Sequence, residues 1–146
     1  MNNVHLTVKL CPDSDKIEDP PWCDVLTDVQ NIHMMRHPGF VDLLNNHDVI
    51  IIDSPTTTLL QAIATRLPVF ALTSIICPPR EDIFILQKRA VCSGDAETLI
   101  YELTNYLITG HYLCDVNNRE YLKLYGTYTD DSGSAIRGLD LLQSIL

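Results

Sequence analysis

Ser54, Pro55, Thr56, Thr57, Thr58 and Gln61 crowd hydroxyls and an amide into one short stretch of the segment HDVIIIDSPTTTLLQAIATRLPVFAL, His47 to Leu72. Such groups hold anions by hydrogen bonding, and phosphate is the commonest anion of that kind. Ser54 can cap a helix, and Pro55 fits its first position because its φ is already helical and its missing N–H would have been unpaired anyway. At 100° per residue, Ser54, Thr57, Thr58, Gln61 and Thr65 fall on one polar stripe, with Leu59, Leu60, Ile63 and Leu67 opposite. The apolar arc must face a sheet, so the polar stripe faces away from it. It lies beside a helix N-terminus, whose free N–H groups and dipole favour a negative charge. Ordinary capping accounts for the same residues, since Ser-Pro is a common helix start and threonine is common near caps.

Other residues with chemical potential are fewer. Lys9, in VKLCP, ends a strand on the same carboxyl edge as Ser54. A lysine there is usually a solvated charge, but an anion site nearby gives it a ligand role. His33 and His37 are four apart, yet their context, NIHMMRHPG, is a strand entering a Pro-Gly turn, so the helical geometry for gripping a metal is missing. No metal site is expected. His37 is either a surface residue or part of the mouth of a cleft. Glu81 with Asp82, and Asp130 with Asp131, are adjacent acids that capping and solvation explain. The sequence holds no Ser-His-Asp set, Cys-His set, P-loop or GxGxxG.

The elements that must position these residues alternate between strand and helix. Val4–Leu10 reads as a first strand and Asn31–Met35 as a second. Val49–Ile52, all β-branched, reads as a third, covered on both faces and ended by Asp53. Val69–Leu72 is a fourth strand and Ala90–Cys92 a short edge strand. Cys11–Asp24, with three prolines and five acids, reads as a loop with Trp22 folded onto the body. Thr73–Arg80, with its Pro-Pro pair, is a loop leaving the carboxyl end of a strand, where ligands sit in open α/β sheets.

Helices are expected over Phe40–Asn45, with Phe40, Leu43 and Leu44 as the apolar face, and over Asp82–Arg89. Another is expected over Ala96–Thr109, capped by Asp95 and with Leu99, Leu103, Tyr106 and Leu107 at helical spacing. A further helix is expected over Val116–Tyr125. Gly126–Gly133 reads as a loop, and Ser134 caps a final helix reaching Leu146. The alternation implies a doubly wound, three-layer Rossmann-like α/β domain with a mostly parallel sheet, occupying residues 1–146 as one domain.

The 146 residues suffice to bury about 68–70% of the unfolded surface. A net charge of −9 with only 10 Lys and Arg would repel a nucleic-acid duplex or an anionic membrane surface at long range, so neither is expected as a partner. A small anion can still bind locally, within a Debye length. The five cysteines form no CxxC pair and leave one over, which implies free buried thiols in a reducing cytoplasm. With no basic-then-apolar leader and no apolar run of about 18 residues, neither signal peptide nor membrane span is expected.

The order strand, DSPTTTLLQAIATRLPVF, strand resembles the donor-binding half of GT-B glycosyltransferases, particularly bacterial surface-polysaccharide and CDP-glycerol glycerophosphotransferase-like members. In that family a Ser or Gly turn leads into a helix with Thr or Ser three residues before a glutamate. Ser54 and Thr58 stand at matching places, Gln61 at the glutamate position, and Leu67 with Pro68 at the turn before the next strand. VKLCP resembles the family's lysine, hydrophobic, His-Pro element, and TDDSGSAIRGLDLL its closing acidic, serine and arginine segment. Gln61 can still hydrogen-bond a ribose hydroxyl, though without charge assistance, and Cys11 cannot act as the family's histidine.

The resemblance implies donor-nucleotide binding without a metal or cofactor. Ser54, Pro55, Thr56, Thr57 and Thr58 would hold the phosphates, Gln61 would reach the ribose and Lys9 would add charge. The Met35–Gly39 turn, with Arg36 and His37, would border the base. A strand beginning at Val4 looks like a cut at an interdomain linker, so the acceptor domain would be a missing N-terminal partner and the chain inactive alone. Any peripheral contact with the cytoplasmic membrane face would come through the rest of the enzyme.

A nucleotide-sugar epimerase would share this half, and a non-catalytic interaction domain would share its fold. A signalling receiver domain is the rival that IIDSP and FALTS bring to mind. Against it, only one short helix separates Asp53 from Thr73, and no acidic pair follows the first strand to hold magnesium.

Overall fold

The computed structural model describes residues 4–10, 21–37, 39–53, 57–74 and 80–121. Among the described residues the protein is mixed α/β with every strand pairing parallel, and the strands fall into two sheets, one of two strands and one of three. The chain divides into two compact units, Met1–His47 and Asp48–Leu146. Among the described residues no helix is long and apolar enough to cross a membrane.

In the first unit, β1 (Leu6–Lys9) pairs with β2 (Ile32–Met35), in register from Leu6 with Ile32 to Lys9 with Met35. Leu6 N–H and Leu10 N–H extend the ladder to Asn31 O and Met35 O, each at 2.9 Å. Asn31 enters β2 with φ of 69°, a left-handed conformation that asparagine tolerates better than most side chains. The first helix, α1, covers Trp22–Thr27, which corrects the expected loop over its last residues. Trp22 is 47% exposed and so is not folded inward, whereas Cys23 is buried. Residues 11–20 of that expected loop lie outside the described residues. The second helix, α2 (Phe40–Leu44), turns Phe40, Leu43 and Leu44 inward and leaves Val41 and Asp42 exposed, as its spacing predicts.

In the second unit, β3 (Ile50–Ile52), β4 (Val69–Leu72) and β5 (Val91–Ser93) stand in that order, with β4 central and Val69, Phe70 and Ala71 buried. Its described helices include α3 (Thr57–Ala64), α4 (Arg80–Gln87) and α5 (Ala96–Thr109). Register and the strand period put Ile51, Phe70 and Val91 on one face, and Ile52, Ala71 and Cys92 on the other. On the first face α5 packs over β4 and β5, with the Phe70 and Tyr106 rings 5.9 Å apart. Because α5 lies over those two strands, Ile51 of β3 is 47% exposed, which corrects the expectation of a strand covered on both sides. Contacts of α3 with β3 and β4 cover the opposite face, where Ile50 and Ile52 are buried against a helix whose own buried residues are Leu59, Ala62 and Ile63.

Asp95 caps α5 as expected, its carboxylate accepting from Thr98 N–H at 2.7 Å. Gly110 closes the helix in the left-handed conformation with φ of 70°, which costs a glycine nothing. The expected helix over Val116–Tyr125 is corrected at its start, since helical structure begins only at Tyr121. Asp115 Oδ1 accepts from Asn117 N–H and Asn118 Oδ1 from Glu120 N–H, at 2.8 and 3.0 Å, so side chains hold this stretch in turns instead. The remainder of that helix, the Gly126–Gly133 loop and the helix capped by Ser134 lie outside the described residues.

Candidate functional site

At the carboxyl edge of the three-stranded sheet, β3 ends at Ile52, Asp53 is exposed, and α3 runs from Thr57. Thr57 and Gln61 are exposed and Thr58 half-buried, on the side of α3 away from the buried Leu59, Ala62 and Ile63. The wheel thus sorts Thr57, Gln61, Leu59 and Ile63 as the sequence predicts, whereas Leu60 and Leu67 are only half-buried, like Thr58, and Ala62 is buried instead. Thr65 Oγ1 donates to Ala62 O at 2.6 Å and accepts from Leu67 N–H at 3.1 Å, so its hydroxyl closes the helix and does not extend the polar stripe. Ser54, Pro55 and Thr56 lie outside the described residues.

The same edge collects further small polar groups. Thr73 follows β4 and donates its N–H to Ser93 O, at the end of β5, at 2.7 Å. Ser93 Oγ accepts from Asp95 N–H at 3.0 Å and donates to Asp95 O at 2.8 Å. Sequence reasoning placed Thr73 in the loop leaving this edge but missed Ser93, although the placement of VCS at a strand end was the signal that could have found it.

Lys9, Arg36 and His37 belong to the first unit. Lys9 pairs in register with Met35, so Arg36 and His37 follow directly at the same edge of the two-stranded sheet. Lys9 Nζ donates to Leu10 O at 2.7 Å, Arg36 is half-buried, and His37 is exposed. The structure therefore gathers the candidate residues as two groups, each at the carboxyl edge of its own sheet. His33 is an exposed strand residue, and no group of three or more His, Cys, Asp or Glu among the described residues is placed to hold a metal ion.

At the amino edge of the three-stranded sheet the chemistry is of another kind. Arg89, 0% exposed, donates through Nη2 to Thr65 O at 2.7 Å and Leu67 O at 2.9 Å, which secures the turn between α3 and β4. Its Nη1 is buried without a hydrogen-bond partner. Burial lowers the pKa of the guanidinium, which nonetheless stays protonated, as arginine does in proteins.

Tyr112 Oη accepts from Val69 N–H at 3.0 Å and lies 2.9 and 3.0 Å from Val69 O and Arg89 O, so one phenol joins β4 to the start of β5. Burial pushes its pKa up to about 12. Tyr121 Oη donates to Ile63 O at 3.0 Å. Nothing in the sequence marked Arg89 or these tyrosines, because their partners are main-chain groups that every sequence possesses.

Three cysteines among the described residues are free, Cys23 buried and Cys92 and Cys114 half-buried. Burial pushes the Cys92 thiol up to about 12 and also raises that of Cys114, so both are protonated at neutral pH and poor nucleophiles. Cys114 Sγ donates to Gln87 O at 3.2 Å. Fold and site together define a parallel α/β protein whose carboxyl strand edges carry hydroxyl, amide and basic side chains. No protein-family model, curated protein or solved structure matches the chain.

Proposed function

We propose that this chain is the donor-binding half of a GT-B-type glycosyltransferase of surface-polysaccharide or cell-envelope synthesis, taking a nucleoside-diphosphate sugar or polyol. One observation carries the reading. Thr57, Thr58 and Gln61 line the outward side of α3 just beyond the carboxyl end of β3, the place where parallel α/β sheets take their ligands. In this reading the threonine hydroxyls meet the pyrophosphate and Gln61 meets the ribose. The positive end of the helix dipole stabilises the leaving nucleotide as charge develops. Turnover belongs to the pair of domains, so the isolated chain binds donor and transfers nothing.

Calorimetric titration with UDP, CDP and GDP tests this. Saturable binding of one nucleotide is expected, weakened roughly tenfold or more by Thr58→Ala, the worth of one hydrogen bond to a charged group. No saturation up to millimolar nucleotide, or an unchanged Kd in the variant, overturns it.

A second reading, a non-catalytic interaction domain, is favoured by the outer face of α5, where Ile100, Tyr101 and Ile108 are exposed together. Its signature is concentration-dependent association in sedimentation velocity that Ile108→Lys abolishes, with no nucleotide bound. A monodisperse monomer at high concentration would count against self-association as its basis.

A further inference from the structure

We draw no further inference here: the strongest candidate, the exposed apolar stripe of Ile100, Tyr101, Leu107 and Ile108 along α5, is an unpartnered helix face, and nothing in the structure shows what covers it.

Discussion

The two edges of the three-stranded sheet are built from opposite materials. The amino edge uses large side chains, Arg89, Tyr112 and Tyr121, whose polar tips reach main-chain groups of residues 22 to 58 positions away in sequence. The carboxyl edge uses short ones, Thr57, Thr58, Thr73 and Ser93, of which Thr57 is exposed and the other three half-buried. A long buried side chain bonded to fixed carbonyls has no freedom left for a ligand. A short hydroxyl beside a helix start gives up little side-chain entropy when it changes partners. The contrast assigns stability to one edge and leaves the other as the side where the proposed donor would bind.

That contrast can be broken by mutation, most forcefully at Arg89. Arg89→Ala removes two hydrogen bonds from a charged donor, leaves Thr65 O and Leu67 O unpaired and opens a cavity. A loss of about 3 kcal/mol or more is expected from urea denaturation. A loss below about 1 kcal/mol would mean that the amino edge is not the structural one.

Tyr112→Phe keeps the ring against Phe70 and Tyr106 but strands Val69 N–H, and should cost about 1–2 kcal/mol. Its pH dependence sharpens the assignment. The folded pKa of about 12 lies above the ordinary 10.0, so the stability tied to the protonated phenol is complete below pH 10 and is lost as pH rises towards 12. The Phe variant should therefore show a flatter stability curve over that window, and parallel curves for the two proteins would argue against the buried hydroxyl.

A smaller effect belongs to Asp95 on the carboxyl side. The hydroxyl and then the N–H of Thr98 hold its pKa below the ordinary 3.8. The cap therefore stabilises α5 above that pH and fades as pH falls through the lowered folded value. The gap in Tm between wild type and Asp95→Ala should be visible at pH 7 and narrow progressively as the pH falls below 3.8. A gap that persists in acid would show that the carboxylate charge is not what counts.

The smallest change in stability is expected at the face of α3. Thr57→Ala and Gln61→Ala should each shift stability by no more than about 0.5 kcal/mol, because both side chains are exposed, while weakening nucleotide binding. Substitutions that destabilise the fold yet spare binding would reverse the proposed division between the edges.

Much of this architecture was legible in the residues. The run Val69–Leu72 after a proline, and Asp95 before the periodic Leu99, Leu103 and Tyr106, carry local signals that their tertiary setting does not oppose. The outward side of α3 was legible for the same reason, since the spacing of Leu59 and Ile63 dictates where Thr57 and Gln61 must point. What failed depended on neighbours distant in sequence. Ile51 looks as apolar as Ile50 and Ile52, and only the lateral position of α5 leaves it exposed. The start of α1 was obscured by the prolines before Trp22, which read as a break although proline also suits a helix start. In the stretch after Val116, the Asx bonds of Asp115 and Asn118 compete successfully with helical pairing.

The hydrogen bond from Tyr121 to Ile63 spans 58 residues, and so sets an order of events during synthesis. At about 5–20 residues per second, a ribosome that has made Ile63 needs roughly 3–12 s more to reach Tyr121. Within that interval β4, Arg89 and Tyr112 are made in turn, but the amino edge still lacks its last closing group, and the closure entropy of so long a loop must be met before the contact stabilises anything. The nascent unit can therefore gain its full stability only after the codon for residue 121 has been read, however early its central strand emerges.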